Sequence, residues 1–468
     1  MQQLIIPGYI KLCLPKSYDK MENFTSYNHH SIPRENNILV RAGFCPIQEY
    51  SPIDFIMRNL VGDNLGNMLF AYGVMNMLWT KNTSIAQIYD KLHYTDEDIN
   101  VINSNYDAFV MPMADAFRPT FIPQLKSYTS LIQKLKIPVI VIGIGLRTTY
   151  EPKFCINTDL DNAVCQFVKS VLDHSSKLGL RGEITGTYLK KLGFKEERDY
   201  IPIGCPSLYT YGNNIATKEL LDYDRLKQGK LVFNANSRAQ YLFGEYIKGI
   251  NSFILNTIRE IPNHYFIQQL TSELKEIYLG KLYTNRVKVA SVLPVNEMQK
   301  MLKSDKVKCF LDVPSWVNFC KDADLFIGNR FHGAAAAILA GSPHLFLPFD
   351  GRTRELSEFH HITSISPYDL KRGKQLIDYL STLDFYSFEK HLNNTFENYI
   401  DFLNSNRLDH IFNVQKNYKF GESFMEKQVP ITVKPISCME SLSYFERVIR
   451  LLSCLPYVFH KAISTVSR

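Results

Sequence analysis

Several features are missing from this chain of 468 residues. No CxxC pair occurs, and the nine cysteines are odd in number and widely spaced. That argues against a disulfide framework or a zinc knuckle and fits a reducing compartment. There is no HExxH and no cluster of carboxylates suited to a metal. No window approaches ~18 uninterrupted apolar residues, so no membrane-crossing helix is expected. The start, MQQLIIPGYIKLCLPKS, lacks a basic first segment, a continuous apolar stretch and a small-residue cleavage site. It therefore does not read as a signal peptide. Dense Lys/Arg blocks with interleaved aromatics are absent, so no nucleic-acid partner is expected. The charge that is present, 53 Lys+Arg against 46 Asp+Glu, gives +7 spread along the chain. It suits an anionic small molecule or a membrane surface. The expected location is the cytoplasm, at or away from a membrane surface.

From residue 55 onward, short apolar runs alternate with amphipathic stretches. Residues 106–113, 138–143, 230–235, 264–270, 287–292, 324–329 and 343–349 read as buried strands, bounded by Gly, Pro, Asp or Asn. Residues 162–176 and 184–193 read as helices between them. Continuous apolar strands alternating with helices indicate mostly parallel sheets covered on both faces. The fold class is α/β, with two doubly wound Rossmann-like domains and a cleft between them. The expected division is an N-terminal extension at 1–54, a first domain at 55–215, a second at 216–382 and a helical C-terminal extension at 383–468. Within the last, 383–405 reads as helix. Residues 439–468 read as an apolar and basic helix broken near Pro456. Such a helix packs back across a domain or lies on a membrane, because Arg447, Arg450, Lys461 and Arg468 accompany a wide apolar face.

The chemistry concentrates at 328–343, GNRFHGAAAAILAGSP. A strand ends near Gly328, a turn carries Arg330 and His332, and Gly333 opens a smooth helix. Ligands of open α/β sheets bind outside the carboxyl ends of strands. Helix N-termini present unpaired N–H groups and the positive end of the dipole. Arg330 offers a planar fork for carboxylate or phosphate, and His332 a proton near neutral pH. After the next strand, FDGRTREL brings Arg352 and Arg354 to the same sheet edge. One of the two is expected to be a surface charge or a partner of Glu355 or Asp350. Arg181 follows a short strand in LGLRGEITGTYLKKLGF, and either pairs with Glu183 or faces the cleft. VIGIGLR, 141–147, contains only a lone GxG. In GDNLGN, Asp63 is either a helix cap or an acceptor for a sugar hydroxyl, with Asn64 beside it. An Arg-rich site without metal motifs calls for an anionic donor.

These motifs, GDNLGN, VIGIGLR, LRGEITGTYLKKLGF, PIGCPSLY, DADLFIGNRFHGAAAAILAGSP and FDGR, taken in order, resemble the polysaccharide pyruvyl transferase family. The resemblance implies a fold similar to two-domain GT-B glycosyltransferases. It implies transfer of pyruvate from phosphoenolpyruvate to two hydroxyls of one sugar in a surface or extracellular glycan, giving a cyclic ketal and phosphate. It implies donor-site roles for Arg181, Arg330, Gly333 and His332, and no cofactor beyond the donor. Where the family often has a lysine, this chain has Arg352, which is expected to take that cationic role. Where the family commonly has Asp-Pro, this chain has Cys205-Pro206. Asp63 and Asn64 are the acceptor-side candidates, and the acceptor is a glycan or a lipid-linked saccharide.

On this reading His332 supplies the proton and Arg330 and Arg352 hold the anion. Arg181 acts from the opposite domain, so that binding closes the cleft. Two other readings share the sequence features. One is a GT-B glycosyltransferase using a nucleotide sugar. The other is a non-catalytic, membrane-associated scaffold of a glycan assembly complex, held through 439–468.

Overall fold

The computed structural model describes residues 24–25, 36–154, 158–235, 240–280, 293–370, 374–413, 434–455 and 457–458. Two sheets organise them. The first has the order β1-β3-β2-β4-β5. Its strands are β1 (Phe24–Thr25), β2 (Asn36–Arg41), β3 (Thr83–Ile88), β4 (Ala108–Pro112) and β5 (Val139–Ile142). Only β1 runs antiparallel to its neighbour. The strands β6 (Leu178–Leu180) and β7 (Tyr200–Pro202) pair in parallel and continue this sheet through the bridge Ile144–Leu180. The second sheet is wholly parallel, in the order β10-β9-β8-β11-β12. It is built from β8 (Leu231–Asn234), β9 (His264–Ile267), β10 (Val307–Lys308), β11 (Leu325–Gly328) and β12 (His344–Phe346).

The α/β class is therefore as the apolar runs indicated. VIVI in β5 and LFIG in β11 are buried at every position, because helices cover both faces of each sheet. The runs at 106–113, 138–143, 230–235, 264–270, 324–329 and 343–349 each contain a strand. The run at 287–292 lies outside the described residues. The first sheet begins earlier than the boundary at 55, since β2 is flanked by β3 and β4 and lies within 1–54. Its apolar core is only Ile38-Leu39-Val40, set between two asparagines and Arg41, which is a short signal for a buried strand. At the other end, the Ser387–Ser405 helix ties the two domains together. Phe388 meets His344 edge-on at 6.4 Å, and the Tyr209 hydroxyl donates to Thr395 O at 2.9 Å.

The Phe331–Leu339 helix lies where the domains meet, and all nine of its residues are buried. Alanine is the best helix former and the slimmest side chain that keeps a Cβ. The helix therefore packs on β11 and β12 and also against the Asn67–Leu78 helix of the first domain. Gly333 allows a still closer approach. A Cβ there would lie 1.8 Å from Asn234 Nδ2 and 2.6 Å from Gln269 Nε2, both on buried side chains. Replacing Gly333 by alanine adds ~1 kcal/mol of helix propensity, but overpacking costs about 1–3 kcal/mol. Gly333→Ala is expected to lower the urea midpoint at unchanged m-value, a net loss of about 1–2 kcal/mol.

Candidate active site between the two sheets

Each sheet has a place where the strand order reverses direction, and a crevice opens there beyond the strand ends. In the first sheet it lies between β2 and β4, and in the second between β8 and β11. Arg330 sits just past β11 in the second crevice. Its N–H donates to Asn234 Oδ1 (3.1 Å), and Asn234 Nδ2 donates to Arg330 O (3.2 Å). Its Nε donates to Ala235 O (2.8 Å), and its Nη2 and Nη1 reach Glu273 at 2.7 and 3.3 Å. Glu273 also accepts the N–H groups of Gln269 (3.0 Å) and Leu270 (2.9 Å). The fork expected to meet an external anion is thus turned onto a carboxylate of its own chain.

His332 lies one residue into the helix that follows. Its ring packs against Gly66 of GDNLGN, where a Cβ would come within 2.5 Å of Nδ1. Its Nε2 is buried without a hydrogen-bond partner among the described residues. Burial, reinforced by Arg181 and Arg352, pushes its pKa down to about 3, with Asp115 opposing. The imidazole is therefore neutral near pH 7.

Arg181 leaves β6 and is buried. Its Nε donates to Gly143 O (3.1 Å) and its guanidinium lies 5.5 Å from the centroid of the Phe70 ring. The lone GxG is explained by this arginine. Gly143 adopts φ +66, and a Cβ on Gly145 would lie 2.9 Å from Arg181 Cδ. Arg181 makes no pair with Glu183. Its Nη2 is buried and has no hydrogen-bond partner among the described residues, as does Arg352 Nε. Three such atoms, on Arg181, His332 and Arg352, therefore occur on groups close enough to bias the charge of His332. Buried polar atoms are rarely left unpaired, and a cluster of them needs a reason.

Arg352 opens the Gly351–Phe359 helix behind its cap, Asp350. Its Nη2 bonds Asp350 (3.1 Å) and its Nη1 bonds Asp115 (3.2 Å), which lies just past β4. Asp115 also accepts from Arg147 Nε (2.7 Å) and Nη2 and from Arg118 Nη1 (3.2 Å). Burial raises the Asp115 carboxyl, but Arg352, Arg147, Arg118 and Arg181 together hold it well below the usual range. One carboxylate thus sits among three guanidiniums. Arg118, Arg147 and Arg352 line a cavity of about 460 Å³ together with Arg41 and Arg58, while Asp90 and Asp115 supply the acidic groups. Five arginines against two aspartates leave the wall cationic. Asn64 is also in the wall, and its Oδ1 accepts the Gly66 N–H (2.9 Å). Asp63 is exposed, and it does not cap the next helix, which starts at Asn67 behind Gly66. Arg354 turns away to Glu358 (2.8 Å) and Glu151 (3.0 Å). Cys205 is buried and gives its N–H to His360 Nε2 (2.7 Å).

Sequence reasoning did not single out Arg41, Asp115 and Arg118, it named Glu355 only as a partner for Arg352 or Arg354, and it gave Arg147 no role. Arg41, Asp115, Arg118 and Arg147 all fall within a few residues of a strand's carboxyl end. That is the rule that flagged Arg330, and it would have found them. Glu355 crosses between the domains to accept the Thr185 N–H (2.9 Å) and hydroxyl (2.9 Å). Burial pushes its pKa up to about 7 against the pull of Thr185 and Arg181.

A two-domain α/β protein with a cationic crevice between its sheets belongs to a class suited to anionic small molecules. More specifically, this chain belongs to the polysaccharide pyruvyl transferase family, whose model matches residues 64–351. That membership makes it a transferase acting on polysaccharide. No curated protein sequence matches the chain. Similar solved structures include the Methanocaldococcus jannaschii UDP-GlcNAc 2-epimerase in complex with UDP-GlcNAc and UDP. It is 14% identical with a TM-score of 0.39, over 89% of this chain and 99% of that one. The S. aureus MnaA–UDP structure is 12% identical with a TM-score of 0.39, over 79% and 98%. At these scores the likeness does not bear on substrate.

The two buried carboxylates generate predictions. Glu273→Gln leaves Arg330 an uncompensated buried charge and is expected to cost about 3–5 kcal/mol in denaturant unfolding. Between its ordinary value of 4.5 and about 7, Glu355 binds more protons folded than unfolded. Its contribution is therefore fully present below that window and is lost as pH rises through it, by about 3 kcal/mol. Glu355→Gln is expected to flatten this part of the stability profile, measured as urea midpoint against pH. An unchanged slope would show that Glu355 titrates normally.

Proposed function

We propose that the protein transfers pyruvate from phosphoenolpyruvate to two hydroxyls of one sugar, forming a cyclic ketal and releasing phosphate. The observation that carries this reading is the set of buried, unpartnered nitrogens on Arg181, His332 and Arg352: Arg352 lines the cationic cavity, while Arg181, over Phe70 of its wall, and His332, against Gly66, lie behind the lining. Phosphoenolpyruvate has the matching chemistry, since its carboxylate and phosphate oxygens are acceptors for those donors. Arg181 and Arg352 hold the anion, with Arg118 and Arg147 behind them. Arg330 acts through its partners, fixing the turn that presents His332.

His332 begins neutral because burial, Arg181 and Arg352 disfavour its charge. An anion that offsets those two arginines raises its pKa, so the imidazole gains a proton as the donor binds. In the reaction, Nε2–H⁺ protonates the methylene carbon, which becomes the methyl group. A sugar hydroxyl adds to the central carbon and returns its proton to His332. The second hydroxyl then displaces phosphate, which leaves with that hydroxyl's proton, and the ring closes. Arg352 and Arg181 stabilise the charge on the departing phosphate. The cavity is larger than a three-carbon acid requires and lies in the ~300–1,000 Å³ range of small-molecule sites, which leaves room for a sugar. Asn64 faces the sugar hydroxyls from the cavity wall. Asp63, exposed beside it, contacts the outer part of a glycan or lipid-linked acceptor.

Titration calorimetry with phosphoenolpyruvate, in buffers of different ionisation enthalpy, tests the proton step. The wild type is expected to take up about one proton per donor bound, and His332→Gln none. The same variant is expected to lose phosphate release with a hexoside acceptor by at least about 100-fold. Thermal stabilisation by a nucleotide sugar but not by phosphoenolpyruvate would sink the proposal in favour of a glycosyltransferase.

A further inference from the structure

The strongest feature outside the cleft is the Tyr444–Ser453 helix. One of its faces is seated on the protein. Arg450 Nη1 donates to Ser437 O (2.7 Å), and its guanidinium lies 4.8 Å from the centroid of the Tyr278 ring. Ser453 Oγ and the Tyr278 hydroxyl are 2.8 Å apart, and Cys454 is buried. Arg447 folds back on the carbonyls of Leu442 (2.9 Å) and Glu440 (2.7 Å). The helix is therefore anchored, with a capping box from Ser443 and Glu446 fixing its first turn.

The other face is bare and strongly apolar. Tyr444 is 85% exposed and Phe445 72%, followed by Val448, Leu451, Leu452, Leu455 and Val458 at 36–49%. Successive offsets of one, three, three and one residues put Tyr444, Phe445, Val448, Leu451 and Leu452 on one side of the helix, and Leu455 and Val458 follow just beyond its end. Single exposed apolar side chains need no explanation, but a contiguous row of seven is an interaction surface. No helix among the described residues is long and apolar enough to cross a membrane. A helix fixed by one face and apolar on the other can instead lie in a lipid interface.

Charge selects the lipid. The Tyr444–Ser453 helix holds Arg447 and Arg450 against Glu446, and from Arg447 to Arg468 the sequence adds Lys461 and Arg468 with no Asp or Glu. The neighbouring Val295–Lys303 helix packs against residues 439–441 and shows Lys300, Lys303 and the 75% exposed Val295 to solvent. A protein partner in general would not require this net basic setting. An anionic bilayer surface would, at ~1 kcal/mol per basic residue near it. We propose that the Tyr444–Ser453 helix docks this protein onto anionic membrane lipid, with Tyr444 and Phe445 at headgroup depth and Leu451, Leu452 and Leu455 in the acyl boundary. This placement rests on the helix alone and holds whatever reaction the cleft performs.

The test is co-sedimentation of the full chain with vesicles of phosphatidylcholine alone or with added phosphatidylglycerol. Wild type is expected to partition onto the anionic vesicles only, with salt weakening binding. The double variant Phe445→Glu/Leu452→Glu is expected to bind about tenfold or more weakly. Both side chains are exposed, so its melting temperature should match wild type and show that the fold is intact. Absence of wild-type binding to anionic vesicles would overturn the proposal. So would a concentration-dependent dimer in light scattering that the double variant abolishes, because the face would then belong to a second copy of the chain.

Discussion

The ion pair between Arg330 and Glu273 is the joint on which the cleft depends. It closes a circuit of contacts through both domains. Glu273 takes the N–H groups of Gln269 and Leu270, which fixes the segment entering its helix. That segment then meets the first domain. Leu65 N–H donates to Gln269 O (2.6 Å), and Thr271 N–H donates to Asp63 O (3.2 Å). The next residue of this loop, Gly66, lies against His332, two residues from Arg330 itself. A buried pair of this kind is weak evidence for stability in its own right, because desolvation offsets attraction. Its effect here is positional, since it determines where the imidazole ring can be.

Around that ring the electrostatics act mostly in one direction. Burial, Arg181 and Arg352 keep His332 neutral, while Asp115 is outnumbered by the arginines that surround it. Such an arrangement stores a demand for negative charge. The carboxylates present are already committed: Asp115 to three arginines, Asp350 to a helix cap and Arg352, and Glu355 to Thr185. A ligand that brings negative charge therefore changes the proton affinity of the His332 imidazole.

Much of this was legible in the sequence, and the reasons differ by element. In the second sheet β8, β9, β11 and β12 fall within short apolar runs, where burial writes itself into composition, whereas β10, two residues with a lysine, was marked by no run. In contrast, β2 exposes only Ile-Leu-Val as a signal, and β3, TSIAQI, is too polar to read as buried although five of its six positions are. His332 and Arg352 were found because both stand next to strand ends. The commitment of Arg330 was not legible, because Glu273 is 57 residues away and its neighbours give no sign of a partner. Asp115, and the bond of Glu355 to Thr185, were missed for the same reason. A lone carboxylate acquires meaning only from the arginines and hydroxyls that folding gathers around it.

The Gly351–Phe359 helix follows β12 in the chain, yet its contacts lie with the first domain. Gly351 N–H donates to Thr148 O, Arg352 reaches Asp115, Arg354 reaches Tyr150 O and Glu355 holds Thr185. By connectivity the helix belongs to one domain and by attachment to the other, like a latch riveted to the door and resting in the frame. The arginine that faces the cavity is part of the latch. Any movement that separates the two sheets must either draw Arg352 out of the site or bend the chain between β12 and Asp350. Access to the cleft and the completeness of its charge are thus set by the same few bonds.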